Sequence, residues 1–266
     1  MKIEFEETSK DLQTRINIHE QYGGRDIDAW MLEKLNLTKG MKILDVGCGS
    51  GKQCLVFYDA LVGEVDITGG DVSQELLDKA RVASSAKSAE IEYIELNFNE
   101  RFPLDDNSYD LVTCCFAIYY AADIPFTISE MHRVLKTGGQ LFSTGPMPEN
   151  KQLFYDIIFE ATKRKIPPMP GSSRYGSEIL DAMKSTFAGV EVNIFENPLT
   201  FPNAEPFLDY TRASLSEDRK LWRGLFEGTD DFEHVMDQIR QVAIQRCERD
   251  KELVMTKVVG GFIATK

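Results

Sequence analysis

Apolar residues along this chain fall into two spacings that take turns. Short β-branched runs stand at MKILDV, EVDITG, IEYIEL, YDLVTCC and GQLFST, each followed by a helically spaced stretch or by turn residues. Strand, helix and strand in that order predict parallel neighbours joined by right-handed crossovers, hence an α/β fold. Ser73 stands where it can cap QELLDKARVA, and Leu76, Leu77 and Ala80 give that helix an apolar face. Pro125 suits the first turn of a helix carrying Phe126, Ile128, Met131 and Leu135, with Gly138 and Gly139 as its stop.

After the fifth strand, ENKQLFYDIIFEATKRK reads as a further helix, and KIPPMPGSSRYG, dense in Pro, Gly and Ser, reads as loop. A sixth strand is expected at GVEVNIFEN. From Ala204 to about Asp250, Phe207, Tyr210, Leu221, Trp222, Leu225, Phe226, Val235, Ile239 and Val242 recur at helical spacing and predict two or three helices. ELVMTKVVGGFIATK, rich in β-branched residues, should then return to the sheet. The expected division is a helical segment at 1–34, a core at 35–203, a helical cap inserted at 204–250 and a final strand at 251–266.

Composition narrows the class. With 266 residues and 42% hydrophobic content, a sizeable core can form. A formal charge of -13 makes the average surface anionic, which weighs against nucleic-acid or membrane-surface partners. On average charge, a neutral or cationic small molecule suits the chain better than an anion. Five cysteines without a C-x-x-C pair, and three histidines far apart in sequence, give no metal-ligand spacing. The acidic, polar start and the lack of a long apolar run lead us to expect a cytoplasmic protein with reduced thiols.

Candidate chemistry begins at Ile43-Leu44-Asp45-Val46-Gly47-Cys48-Gly49-Ser50-Gly51-Lys52, a strand running into three glycines ahead of a helix. Glycines permit a tight turn and let a ligand lie against the main chain, and the helix start offers free amides. The second strand ends at Gly69-Gly70-Asp71, which sets a carboxylate beside the loop where it can accept both hydroxyls of an adenosine ribose. Dinucleotide sites space their glycines G-x-G-x-x-G, whereas here the third glycine is Gly51 and Lys stands at 52.

ILDVGCGSG, Asp71, NFNERFPLDDNSYDLV and RVLKTGG, in that order over roughly residues 37 to 145, resemble the successive motifs of the class I S-adenosylmethionine-dependent methyltransferases. The resemblance implies a Rossmann-like seven-stranded sheet of order 3-2-1-4-5-7-6 with one antiparallel strand, S-adenosyl-L-methionine as cofactor and S-adenosyl-L-homocysteine as product. It implies that Gly47, Cys48 and Gly49 lie along the methionine and ribose, that Asp71 takes the ribose hydroxyls and that Val72 packs on the adenine. Asn97 stands where the family often has Asp and would meet the adenine edge, with Phe98 beside the ring. Asp45, Gly51 and Phe116 complete this expected set. Tyr22 and Arg25 lie where family members often supply contacts to the cofactor's carboxylate; the other reading of that segment is an exposed turn between helices.

In such chemistry the protein's main task is alignment, which contributes about 7 to 11 kcal/mol when reacting atoms are held in line. Tyr119 and Tyr120, after the fourth strand, are the expected substrate contacts, one of them packing under the next helix. Thr144 and Gly145 would border the same crevice. Arg174, Tyr175, Tyr210, Arg212 and Trp222 are candidates to close it, while His132 reads as structural and Cys114-Cys115 as no thiol site. The partner expected is a small-molecule methyl acceptor, with the protein a monomer or homodimer. A short-chain dehydrogenase is disfavoured because none of the nine tyrosines has Lys four positions later. An adenosylmethionine-binding sensor or inactive partner protein is the alternative from another class.

Overall fold

A computed structural model describes residues 9–217, 222–226 and 232–266. Leu221, among the apolar positions expected in the cap, lies outside the described residues. Two helices, α1 (Ser9–Tyr22) and α2 (Ile27–Lys34), precede the alternating core of β1 (Lys42–Val46), α3 (Lys52–Ala60), β2 (Asp66–Asp71), α4 (Gln74–Ala86), β3 (Glu92–Glu95), β4 (Tyr109–Cys115), α5 (Ile124–Val134) and β5 (Leu135–Pro146). There follow α6 (Gln152–Thr162), α7 (Pro170–Arg174), α8 (Leu180–Thr186), β6 (Val190–Phe201), α9 (Glu205–Glu217), α10 (Phe232–Asp250) and β7 (Leu253–Thr265).

The seven strands form one sheet of order β3-β2-β1-β4-β5-β7-β6. Strands β1 to β5 pair in parallel, and β7 runs antiparallel to both β5 and β6. The order reverses between β1 and β4, which opens a crevice at the carboxyl ends of those strands.

Both faces of the sheet are covered, which is why β1 and β4 read as nearly continuous apolar runs rather than alternating ones. One face packs Leu44, Val46, Val112 and Phe262 against Ile128 and Met131 of α5. The other packs Ile43, Leu111 and Phe142 against Trp30, Phe57 and Leu77. A third cluster joins Phe207, Tyr210, Trp222, Val235 and Ile239 of the 204–250 insertion to Ile18, Phe154, Phe201 and Met255. The insertion therefore shares its core with α1, α6 and the two last strands. No helix among the described residues is long and apolar enough to cross a membrane.

Local signals set the helix starts. Ser73 Oγ accepts the Leu76 amide at 3.4 Å and Asp123 Oδ1 the Phe126 amide at 2.9 Å, each holding an orphan first-turn donor. Two readings of the sequence need correction. Helix α5 stops at Val134, and Gly138, with φ of +80°, lies inside β5, where the pairing jumps from Tyr109↔Leu135 to Leu111↔Gln140. The stretch KIPPMPGSSRYG is loop only as far as Met169, because α7 and a π-helical turn over Tyr175–Ile179 carry the chain into α8. Packing overrides its Gly and Ser content: Tyr175 is wholly buried, stacks on Phe262 at 4.5 Å and donates its hydroxyl to Ser143 O at 2.5 Å.

Candidate cofactor and acceptor site

The glycine loop leaves β1 at the crevice. Gly70 O accepts the amides of Gly47 at 2.7 Å and Cys48 at 3.0 Å, tying the loop to the end of β2. Gly47, Gly49 and Gly51 all have left-handed φ, at +73°, +54° and +79°, a region that a side chain disfavours. They differ in what surrounds them. A Cβ on Gly47 would come 2.6 Å from Ala117 Cβ, and one on Gly51 would come 2.5 Å from the Tyr93 hydroxyl. A Cβ on Gly49 would meet nothing within 4 Å. Two of the glycines thus let the loop pack against its neighbours, and the middle one faces open space.

Asp71, at the end of β2, is half-exposed beside that space. Its Oδ2 accepts the Gly49 amide at 2.9 Å and its Oδ1 the Ser73 amide at 2.9 Å. Helix α3 begins directly after Gly51 with no side-chain cap, so its first amides remain available to an anion. These features fit an amino-acid nucleoside: free amides for a carboxylate, an acidic group for ribose hydroxyls, and a loop face without Cβ atoms. Val72, next to Asp71, is 61% exposed. Phe98 lies 3.8 Å from where a Gly47 Cβ would stand. Asn97 presently spends its amide on the turn it starts, accepting from Asn99 N at 3.0 Å and donating to Glu100 at 2.8 Å.

Beneath the loop, Asp45 is 1% exposed. Thr113 Oγ1 donates to its Oδ1 at 2.7 Å and the Cys54 thiol to its Oδ2 at 3.6 Å. Burial outweighs those two bonds, and the pKa of Asp45 is raised from 3.8 to about 6. Cys48 is buried over Gly69, whose Cβ would stand 3.1 Å from the Cys48 sulfur.

The segment between α1 and α2 crosses the carboxyl edge of the sheet. Gly23 bridges to Leu199 of β6. Asn197 accepts the Gly24 amide and donates to Arg25 O, both at 3.1 Å. Arg25 donates to Glu196 O at 2.7 Å and lies 4.7 Å over the Phe195 ring. Tyr22 packs edge-on to Phe201, with ring centroids 5.2 Å apart. Farther on, Asp28 accepts from Lys52 and Gln53, both at 2.8 Å. Those two residues open α3, so the amino-terminal segment is fastened at one end to β6 and at the other to the helix after the glycine loop.

On the other side of the crevice, Phe116 leaves β4 with φ of +56°, unusual for an aromatic residue, held by its amide's bond to Thr144 O at 2.8 Å. A 3₁₀ turn, Ile118–Tyr120, follows. Tyr119 is 8% exposed, packed beside Gly171 of α7, while Tyr120 is 36% exposed; their rings are 4.6 Å apart. Thr144 is buried, and Gly145 lies under the Tyr175 ring.

The outer candidates separate by partner. Arg174 donates to Tyr119 O at 2.7 Å and Ala121 O at 2.9 Å. Arg212 is bound to both oxygens of Glu233, at 2.7 and 2.9 Å. Trp222 donates to Pro167 O at 2.9 Å and packs on Phe154. His132 packs edge-on to Phe187 at 5.0 Å, and Cys114 is buried. Tyr210 alone of these is buried with its hydroxyl unpartnered. Near it stand three residues that motif reading passed over: His19, Lys151 and Lys257. The signal available for Lys257 is a charge within an apolar β-branched strand; His19 and Lys151 carry none.

Two solvent-open depressions lie instead at the amino edge of the sheet, about 510 Å³ beside Tyr58 and Glu92 and about 370 Å³ beside Asp110 and Gly138. Neither borders the glycine loop, so neither bears on this site.

A family described as a methyltransferase domain matches residues 43–139, which run from β1 through the start of β5. The chain is 33% identical over 136 residues to the demethylmenaquinone methyltransferase of Staphylococcus epidermidis strain RP62A, covering 49% of this chain and 54% of that protein. The chain thus spans about half the length of the first curated relatives it matches. Among solved structures, a SAM-dependent methyltransferase from Aquifex aeolicus shares the fold, with a TM-score of 0.51 at 21% identity over 70% of this chain and 89% of that one. The demethylmenaquinone methyltransferase of Staphylococcus aureus strain MRSA252 is 32% identical over 167 residues, 60% of this chain and 67% of that protein, and on that likeness the chain belongs to the class I S-adenosylmethionine-dependent methyltransferases.

Proposed function

We propose that this chain transfers the methyl group of S-adenosyl-L-methionine to a small molecule and releases S-adenosyl-L-homocysteine. The observation that carries the reading is Gly49: a left-handed glycine with open space before it, its amide held by the Asp71 carboxylate at 2.9 Å. Asp71 would hold the ribose, the amides at the start of α3 the amino-acid carboxylate, and Asn97, Phe98 and Val72 the base. Asp45, a buried carboxyl on the strand that leads into the loop, stands below. Arg25 and Tyr22 would flank the amino-acid end.

When bound, the cofactor supplies a methyl group made electrophilic by a sulfonium, so the chain's residues have only to bind, orient and exclude water. Tyr120, the more exposed of the tyrosine pair, would touch the acceptor, and Tyr119 would position it from below. The insertion between β6 and β7 would roof the acceptor. The names of the staphylococcal relatives support a small-molecule acceptor, and five unpaired cysteines support placement in the cytoplasm.

Calorimetric titration with S-adenosylhomocysteine, together with transfer of labelled methyl from the cofactor to a metabolite extract, tests the proposal. Saturable binding with label incorporation into small molecules is expected. No binding of either form of the cofactor ends it.

A further inference from the structure

One set of polar side chains has no part in that account. It lies past the carboxyl ends of β4 and β5, where the insertion meets the sheet. Lys151, in the turn after β5, holds its ammonium 5.0 Å from the centre of the Tyr210 ring on α9, and its backbone amide donates to Thr256 O at 2.9 Å. The next residue of β7, Lys257, holds its ammonium 5.7 Å from the Phe116 ring. His19 of α1 meets Tyr210 edge-on with centroids 5.6 Å apart. Four separate segments thus bring cations and polar rings to one place.

Among the described residues, neither Lys151 nor Lys257 forms an ion pair. The carboxylate nearest in effect on Lys257 is Asp28, already bound to Lys52 at 2.8 Å and Gln53 at 2.8 Å. His19 Nδ1 and the Tyr210 hydroxyl are buried without a hydrogen-bond partner. Buried polar groups are rarely left so, since each orphan costs roughly 1 to 3 kcal/mol. Electrostatics agree with the geometry. Burial, then Lys151, Lys257 and Arg15, push His19 down to about 2, and burial, then Lys151 and Lys52, push Lys257 down to about 8. A chain of net charge -13 thus sets two lysines that pair with no described carboxylate beside its candidate site.

We propose that this cluster seats an organic anion, a carboxylate or a phosphate carried by the methyl acceptor. The inference rests on the methyltransferase reading and sharpens it: the anion lies between Lys151 and Lys257, the hydroxyl of Tyr210 and Nδ1 of His19 complete its hydrogen bonds, and the reactive end points toward Phe116. It reverses the expectation drawn from average charge, because the local field decides what enters.

The test is titration of the full chain, loaded with S-adenosylhomocysteine, against benzoate, phenyl phosphate and the neutral benzamide. One of the anions should bind roughly tenfold or more tightly than benzamide, and the better of the two tells carboxylate from phosphate. Lys151→Gln and Lys257→Gln should each reduce that preference about threefold or more, with Lys151→Arg restoring it. Adenosylhomocysteine affinity, measured on the same samples, separates the two claims. If the cofactor product does not bind, the methyltransferase reading fails. If it binds while benzamide equals the anions, or none of the three is taken up below about 20 mM, the anion seat alone is overturned. Should a lysine variant lose cooperative melting, Tyr210→Phe serves instead: it keeps the ring and removes the hydroxyl, and an unchanged anion preference there counts against the seat.

Discussion

Asp71 Oδ2 accepts the backbone amide of Gly49 at 2.9 Å, so the carboxylate that ends β2 also fixes the middle glycine of the loop. Asp71→Ala removes that anchor together with the proposed ribose acceptor. Adenosylhomocysteine binding should weaken by about 1.5 to 3 kcal/mol, the range for hydrogen bonds to a charged group. Asp71→Asn, which keeps one acceptor oxygen, should fall between. Calorimetry reads both, and an unaltered affinity in the alanine variant takes Asp71 out of the site.

Gly47 and Gly49 should respond differently to alanine. At Gly47 the new methyl would be 2.6 Å from Ala117 Cβ on a left-handed backbone, so stability should fall by about 2 to 5 kcal/mol from backbone strain and overpacking together. At Gly49 only the backbone term applies, about 1 to 2 kcal/mol, yet the methyl enters the space assigned to the cofactor. Thermal melts paired with adenosylhomocysteine titrations should show Gly49→Ala folded and poorly binding. Normal binding by that variant would place the ligand elsewhere.

Asp45 has a folded pKa of about 6 against an ordinary 3.8, so the native state holds this proton more tightly than the unfolded chain does. Its contribution to stability therefore falls as pH rises through that interval and stays low above it. Asp45→Asn should raise the melting temperature at about pH 8 and gain much less at about pH 4. Thr113 still finds a carbonyl oxygen to donate to. A uniform shift at every pH would mean the carboxylate is not the cause.

Lys257 works with the opposite sign of charge. Its folded pKa of about 8 lies below the ordinary 10.5, so its ammonium is present below about pH 8, and without a ligand the fold gains stability as pH climbs between those values. Affinity for the anionic probe should be greatest below about pH 8 and decline above it, with Lys257→Gln flattening the decline. The charges felt at this group are Lys151, Lys52 and Asp28, so Lys151→Gln should move the midpoint upward. A profile that ignores both substitutions removes Lys257 from the seat.

The alternation of strands and helices, the glycine loop and Asp71 were legible because each depends on local grammar: short β-branched runs, a strand running into Gly47, and a carboxylate a set distance on; the sheet order followed only from the family resemblance. Three things were not. Helix α7 and the turn through Tyr175 form in a Gly- and Ser-rich stretch because Tyr175 reaches Ser143 O across the sheet, a contact no local window contains. The bond from Arg25 to Glu196 O joins residues 171 apart in sequence. His19, Lys151 and Lys257 become a group only when α1 and β7 arrive beside the same Tyr210 and Phe116. Their charges, spread along 266 residues of net negative charge, gave no cluster to notice.

β7 is what joins β5 to β6, pairing antiparallel with each. Until Leu253–Thr265 is laid in, β5 and β6 each present a bare rim of amides and carbonyls, with nothing joining them. A nascent chain at that stage is open to mispairing with its neighbours. The same strand delivers Lys257, so the proposed anion seat depends on β7, whereas the glycine loop hangs from β1 and β2.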